Sequence, residues 1–271
     1  MSGALVSLMS AGRYIHSTKV KFLLSGTTFT LPSDWNPANN RVECIGAGQT
    51  GGTGYAGVGA QGGFGGDYAA VINWNVPANT LLHISIGSPG AAWNAGSLAP
   101  FGGNTWISTT TVAPINVSQG AFALGGAQSG SSIGNITYDG GLCGFSNPSP
   151  TYYHGGGGGG AAGPNGDGRN GFNSTGGFGD NTFGGAGGTG SIGGGTSGGD
   201  GTEYTSTFDS TTAGSGGGGG GDHGLVNGGD GGLYGGGGGG GGWDSIDVAG
   251  SPGGAGQQGV IILTYDSIVE G

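Results

Sequence analysis

Gly228-Gly229-Asp230-Gly231-Gly232-Leu233-Tyr234, running directly into eight consecutive glycines at residues 235–242, is the stretch on which the fold turns. Two glycines followed by one other residue make a period of three. The same period appears in Gly62-Gly63-Phe64-Gly65-Gly66-Asp67 and in Gly184-Gly185-Ala186-Gly187-Gly188-Thr189. Unbroken glycine runs also occupy residues 155–160 and 216–221. A left-handed extended helix has three residues per turn and rises about 3.1 Å per residue, so every third side chain points the same way. Where such helices pack side by side, the two inward positions must be glycine and the third is free. Backbone N–H and C=O groups, which have no partner inside such a helix, then bond between helices. Collagen needs a strict period and abundant proline, whereas this chain has ten prolines and a period that breaks repeatedly. The expectation is a bundle of polyglycine helices. The alternative left open by composition is that the tracts are flexible linkers.

Composition favours an ordered chain. Glycine supplies 77 of 271 residues. Each glycine loses more backbone entropy on folding than any other residue and brings no side chain to bury. Such a sequence folds only if its glycines do what a Cβ would prevent. Disordered chains are poor in aromatics, but five Trp, nine Tyr and ten Phe are scattered among these tracts. The formal net charge is −10, and four of the five basic residues (Arg13, Lys19, Lys21 and Arg41) lie in the first 41 positions. Twelve of the fifteen acidic residues lie from Asp139 onward. An acidic half without lysine excludes nucleic acid, which requires phosphate-neutralising cations, and argues against anionic lipid. No run approaches the roughly 18 apolar residues of a membrane span, and the first ten residues do not read as a signal peptide. Cys44 and Cys143 are expected as two buried thiols, with a single disulfide as the alternative.

Strand signals lie between the glycine tracts. Thr28-Phe29-Thr30-Leu31, Arg41-Val42-Glu43-Cys44-Ile45, residues 68–76, residues 80–86, Thr105-Trp106-Ile107-Ser108 and Ala121-Phe122-Ala123-Leu124 are short, rich in β-branched and aromatic residues, and bounded by Gly, Pro or Asn. Gly259-Val260-Ile261-Ile262-Leu263-Thr264-Tyr265 is the strongest of them. No segment sustains a 3.6-residue period. The expected fold class is all-β, an antiparallel sandwich-like N-terminal part plus packed polyglycine II helices, with almost no α-helix. The expected organisation is a docking leader at 1–26, or simply an edge strand or loose terminus there. A glycine-rich β domain follows at 27–147, then a polyglycine-helix domain at 148–271 with variable loops and a closing strand.

The series Phe29-Thr30-Leu31-Pro32, Val42-Glu43-Cys44-Ile45-Gly46-Ala47-Gly48, Asp67-Tyr68, Val76-Pro77, Leu82-His83-Ile84-Ser85-Ile86-Gly87 and Gly259-Val260-Ile261-Ile262 resembles the glycine-rich domain of phage and prophage tail proteins. The second half is similar to the glycine-rich adhesins at the tips of the long tail fibres of T-even-type phages. The resemblance covers most of residues 27–265. It departs at Gly48-Gln49-Thr50, where a longer glycine run is usual, and the leader does not match the fibre-docking domain of those adhesins. It implies a virion protein of the phage tail acting at the host cell surface. Its partners would be other tail or fibre proteins, contacted through the N-terminal segment, and a bacterial outer-membrane protein or surface glycan. Fibre proteins are often homotrimers, whereas a tip adhesin can be a single chain.

Catalytic constellations are missing from the sequence. Gly-x-Gly-x-x-Gly recurs but carries no information at this glycine content, and no Lys follows Lys21 to complete a phosphate loop. His16, His83, His154 and His223 lack zinc-site spacing. Asp167, Asp180, Asp200, Asp222 and Asp230 sit at glycine-rich turns, where Asp is ordinary turn chemistry. The expectation is a non-enzymatic protein without cofactor or metal. Aromatic residues concentrate in the inserts at 148–154, 169–183, 203–212 and 243–248. Aromatic and polar side chains on loops held by a rigid frame make binding tips. The candidate receptor contacts are Tyr152, Tyr153, His154, Tyr204, Phe208, Tyr234 and Trp243. Phe172, Phe178 and Phe183 read instead as caps and core of the glycine bundle. The rival readings are a passive tail decoration or connector, an ice-binding protein, for which Ala186-x-x-Thr189-x-x-Ile192 is too short an array, and a polysaccharide depolymerase.

Overall fold

The computed structural model describes residues 14–54, 59–91, 100–145, 147–148, 152–180, 182–190, 194–222, 226–244 and 250–270, excepting the side chains of 14–16, 147–148, 152, 244 and 268–270. The first half of the leader, His223, Ile192 and much of two aromatic inserts (149–151 and 245–248) lie outside these residues. Among the described residues every regular element is a β-strand.

Two antiparallel sheets form a sandwich. The larger joins β1 (Tyr14–Leu23), β14 (Val260–Glu270), β3 (Asn40–Ile45), β4 (Tyr68–Ile72) and β8 (Ile136–Tyr138) in that order. The smaller joins β2 (Thr28–Thr30), β5 (Leu81–Ser85), β6 (Thr105–Ser108) and β7 (Gly120–Ala123). Strand alternation decides which side chains meet between them. Val42, Cys44, Ala69, Val71, Ile261, Leu263 and Tyr265 from the larger sheet pack on Leu82, Ile84, Ile107, Ala121 and Ala123 from the smaller. Burying each large aliphatic side chain contributes about 1.5–3 kcal/mol. Trp35 and Trp74 close the ends of this core, their indole N–H groups donating to the Val76 and Ser118 carbonyls.

The alternate residues of the same strands serve a second core. Ile45, Tyr68, Ala70, Val260 and Ile262 face away from the sandwich and pack on Ala161, Ala162, Ala213 and Tyr234 at the ends of the glycine tracts. The larger sheet is thus buried on both faces, which explains the unbroken apolar run Val260-Ile261-Ile262-Leu263.

The glycine tracts run away from this sheet as extended segments bound to one another through backbone hydrogen bonds. In the segment at 155–163 the donors rotate among three neighbours. Gly155, Gly158 and Ala161 donate to Asp222, Gly219 and Gly216. Gly156, Gly159 and Ala162 donate to Ala60, Gly63 and Gly66, while Gly157 and Gly160 donate to Asn173 and Arg169. Every third residue therefore addresses the same neighbour. In this enclosed segment the positions held by glycine are closed to a Cβ: one built on Gly158 stands 2.2 Å from the Gly237 carbonyl oxygen.

Segments at the rim keep one position open. Their exposed residues recur every third place: Asp139, Leu142 and Phe145 on one segment, Asn227, Asp230 and partly Leu233 on another. Two-of-three glycine marks the rim and continuous glycine marks the interior. The outward residue's N–H has no neighbouring segment to meet, and a side chain from the next rim segment takes it. Asn170 Oδ1 accepts from Leu142 N (2.9 Å), Asp167 Oδ1 from Asp139 N (3.0 Å), Asp200 Oδ1 from Leu233 N (2.8 Å), Asp230 Oδ1 from Ala255 N (2.7 Å) and Thr196 Oγ1 from Thr189 N (2.7 Å). The aspartates read from sequence as turn residues are, at these places, lateral acceptors that stitch the rim.

The chain does not separate at residue 147. Glycine segments at 46–54 and 60–67 bond into the same bundle as those after 148, and β14 returns to the sheet that β3 and β4 build. Tyr14–Leu23 of the leader is an edge strand of that sheet, paired along its length with β14. Residues 68–76 are not one strand: β4 stops at Ile72, and Asn73, at a φ of 52°, turns the chain so that Trp74 enters the core. Cys44 and Cys143 are free and buried.

Candidate binding surface

The bundle has two poles. At the sheet pole, Gly46, Gly66, Ala162, Gly216 and Gly235 adjoin the strands. At the opposite pole the segments end together. Gly54 donates to Ser251, Ala60 to Gly241, Gly155 to Asp222 and Gly221 to Ser174. The described residues that flank 55–58, 149–151, 191–193, 223–225 and 245–249 all lie at this end.

A small sheet builds part of this pole. β13 (Trp243–Asp244), β10 (Tyr152–His154) and β9 (Asn147–Pro148) pair in that order. The sequence forces the arrangement locally. Glycine runs end at Gly242 and begin at Gly155, the first residues beyond them carry bulky side chains, and the pairing of the tracts delivers those residues to one place. Tyr153 sits opposite both Trp243 and Pro148, and His154 opposite Asn147. The Tyr153 and Trp243 rings are 5.6 Å apart with planes inclined at 56°, a tilted aromatic pair. Both are half-buried. Phe145, 69% exposed, ends the neighbouring rim segment at the same pole.

Four of the seven candidates from sequence, Tyr152, Tyr153, His154 and Trp243, therefore come together. The side chain of Tyr152 lies outside the described residues. The other three stand at the sheet pole. Tyr234 is buried in the second core. Phe208 is exposed beside β11 (Tyr204–Thr205) and β12 (Thr212–Ala213), with the Lys21 ammonium 4.8 Å from its ring centre. Tyr204 donates its hydroxyl to Glu43 Oε1, which also receives the Tyr68 hydroxyl, while Arg41 Nε stands 2.9 Å away. Burial dominates at Glu43, raising its carboxyl above the usual range against the opposing pull of Arg41 and the two phenols. Desolvation beside this carboxylate pushes both phenols up. Tyr204 and Tyr234 hold the seam between sheet and bundle and leave the set of surface candidates.

Phe172, Phe178 and Phe183 depart from the sequence expectation in the other direction, being 74%, 53% and 64% exposed. The bundle's interior is backbone against backbone and needs no apolar side chains, so the phenylalanines occupy outward positions. For two of them the signal was present in the sequence: Phe178 follows Gly176-Gly177 and Phe183 precedes Gly184-Gly185, the rim pattern rather than a continuous tract.

Near the sheet pole Glu203 is a half-buried carboxylate. Its Oε1 accepts from the Ser215 N–H (2.9 Å) and hydroxyl, and burial raises it to about 7 despite those bonds. Among the described residues no group of His, Cys, Asp and Glu is arranged to hold a metal ion, and no helix is long and apolar enough to cross a membrane. Comparison with protein-family models finds no match, and comparison with curated proteins finds none.

Proposed function

We propose that the chain is a phage tail-fibre or tail-tip protein of the virion, a non-enzymatic adhesin that recognises the bacterial cell surface. Its frame is a bundle of polyglycine II helices. The observation that carries this is the convergence of loop-bearing segment ends, with the Tyr153–Trp243 pair among them, at the pole farthest from the sheet. A frame tied by hydrogen bonds on every side presents side chains with little ordering cost on binding. Aromatic rings add contact area at low conformational entropy. The receptor is an outer-membrane protein or a surface glycan, bound reversibly. The strand Tyr14–Leu23 runs with its Tyr14 end away from the bundle, beyond the last residue paired with β3. Attachment to other tail proteins through the N-terminal segment fits that position.

The test is binding of the labelled full chain to intact host bacteria, beside a Tyr153→Ala/Trp243→Ala variant whose circular dichroism matches the parent. Saturable binding lost in the variant supports the adhesin reading. A folded parent that does not bind assigns the chain to a passive structural role in the tail.

A further inference from the structure

We propose that a groove on the side of the bundle, away from the pole, is a binding site for a neutral carbohydrate chain of hexose or N-acetylhexosamine units. The groove is a shallow, open depression of about 660 Å³ between the rim residues 139–142 and 167–170. Leu142, Asp139, Asp167, Arg169 and Asn170 line it, and all are exposed.

Two of its polar groups are set in place before any ligand arrives. Asp167 and Asn170 each commit one oxygen to a backbone N–H of the facing segment. That bond fixes the other terminal atom, leaving Asp167 Oδ2 as an acceptor and Asn170 Nδ2 as a double donor. One turn of an extended helix, about 9 Å, separates the two. Arg169 is the last basic residue of the chain and enters no ion pair among the described residues. Its guanidinium offers donors in a planar fork.

The apolar part is arranged alongside. Leu142 lines the groove, and Phe178 lies on the far side of Arg169, where the two residues line an adjoining hollow with Thr182. Arg169 donates its backbone N–H to the Phe178 carbonyl, which sets the two residues side by side. A sugar ring has a rim of hydroxyls and an apolar C–H face. Fixed donors and acceptors beside an exposed phenyl ring and a leucine match that pairing. Charge selects among carbohydrates. Two carboxylates against one guanidinium, on a chain of net charge −10, repel acidic polysaccharide and nucleic acid, whose capture needs a cationic surface.

The proposal stands apart from the function assigned to the pole, and its test separates the two. The full chain is titrated with maltohexaose and with the hexamer of N-acetylglucosamine, followed by saturation-transfer NMR and calorimetry. Binding of one probe with Kd of roughly 1 mM or tighter is expected. Arg169→Ala and Phe178→Ala, exposed side chains that hold no backbone group, are each expected to weaken it about tenfold. Tyr153→Ala/Trp243→Ala is expected to leave it unchanged. Failure of the folded chain to bind either probe at about 10 mM, or binding indifferent to both groove variants, overturns the proposal. Sedimentation velocity supplies a third arm. Concentration-dependent association of the parent that both groove variants abolish overturns it too, and makes this face a contact between copies of the chain.

Discussion

Replacing Gly158 by alanine tests whether the core of this protein is backbone packed on backbone. The new Cβ would stand 2.2 Å from the Gly237 carbonyl oxygen and 2.8 Å from that of Gly238. Neither atom belongs to a side chain able to rotate away. The segment at 235–242 must therefore retreat by about 1 Å to restore ordinary contact. Two hydrogen bonds join it to the mutated segment, Gly237 N to Gly159 O at 2.9 Å and Gly240 N to Gly156 O at 2.7 Å. A retreat of that size takes both past the usual limit for N–H···O bonds. Each contributes about 1 kcal/mol net, and overpacking adds a further 1–3 kcal/mol. The smaller unfolded-state entropy of alanine returns roughly 0.4–1 kcal/mol. The net loss is about 3 kcal/mol. At about 2.1 cal/mol/K per residue, the unfolding entropy of this 271-residue chain is near 0.6 kcal/mol/K, so Tm falls by about 5 °C. Calorimetry of Gly158→Ala beside Ala186→Ser, which adds one heavy atom at an exposed outward position, is the assay. If both variants melt within about 1 °C of the parent, the tracts are loosely held and the packing account is refuted.

Three further outcomes follow from buried and lateral polar groups. Arg41→Ala leaves the fully buried Glu43 without its cation; a loss of about 3–5 kcal/mol is expected, read as a lower urea midpoint at unchanged m. Asp230→Ala frees the Ala255 N–H at the rim, where water replaces the acceptor, so the expected cost is only about 1 kcal/mol, and Asp230→Asn, which keeps an acceptor, stays within about 0.5 kcal/mol of the parent. Glu203, raised to about 7 from an ordinary 4.5, keeps a proton in the folded chain over a range where the unfolded chain has released it. Its contribution to stability is therefore full below about pH 4.5 and is lost as pH rises through about 7, by roughly 3 kcal/mol at most. The difference in Tm between parent and Glu203→Gln, measured from about pH 5 to pH 8, should widen in favour of the variant, and a pH-independent difference would show that Glu203 is ionised throughout.

The sequence announces this architecture unevenly. Alternation and boundary residues mark β2, β3, β5, β6 and β7 nearly to the residue, because short antiparallel strands bounded by Gly and Pro are local events. The period of three in residues 228–233 marks a rim segment equally well, since which positions tolerate a side chain depends only on how many neighbours enclose the segment. Long-range events are hidden. Glu43 reads as one polar residue in a strand until Tyr204, 161 positions later, brings a hydroxyl to it. Tyr204 and Tyr234 look like loop aromatics because nothing local says that their segment ends lie against a sheet. Phe172, Phe178 and Phe183 look like core because apolar residues usually are. In a bundle whose interior is glycine that inference reverses, and the large side chains are left outside.

A backbone core has a weakness that the side chains at its margins answer. Two glycine tracts bound through every third residue keep the same hydrogen bonds if one slides by three residues, about 9 Å. Glycine alone cannot specify register, just as a featureless strand is prone to slip. The positions that break the degeneracy are those where a particular side chain meets a particular backbone group or carboxylate: Asn170 on Leu142, Asp200 on Leu233, Asp230 on Ala255, and Tyr204 on Glu43 at the seam. A one-turn slip of the segment at 227–233 that brings Leu233 to the place of Asp230 would leave the Ala255 N–H facing methyl instead of carboxylate. Asp167, Asp200 and Asp230 stand along the rim where that choice is made. Their placement, with that of Asn170 and Tyr204, selects one packing among near-equivalent ones, and so where Tyr153 and Trp243 come to rest.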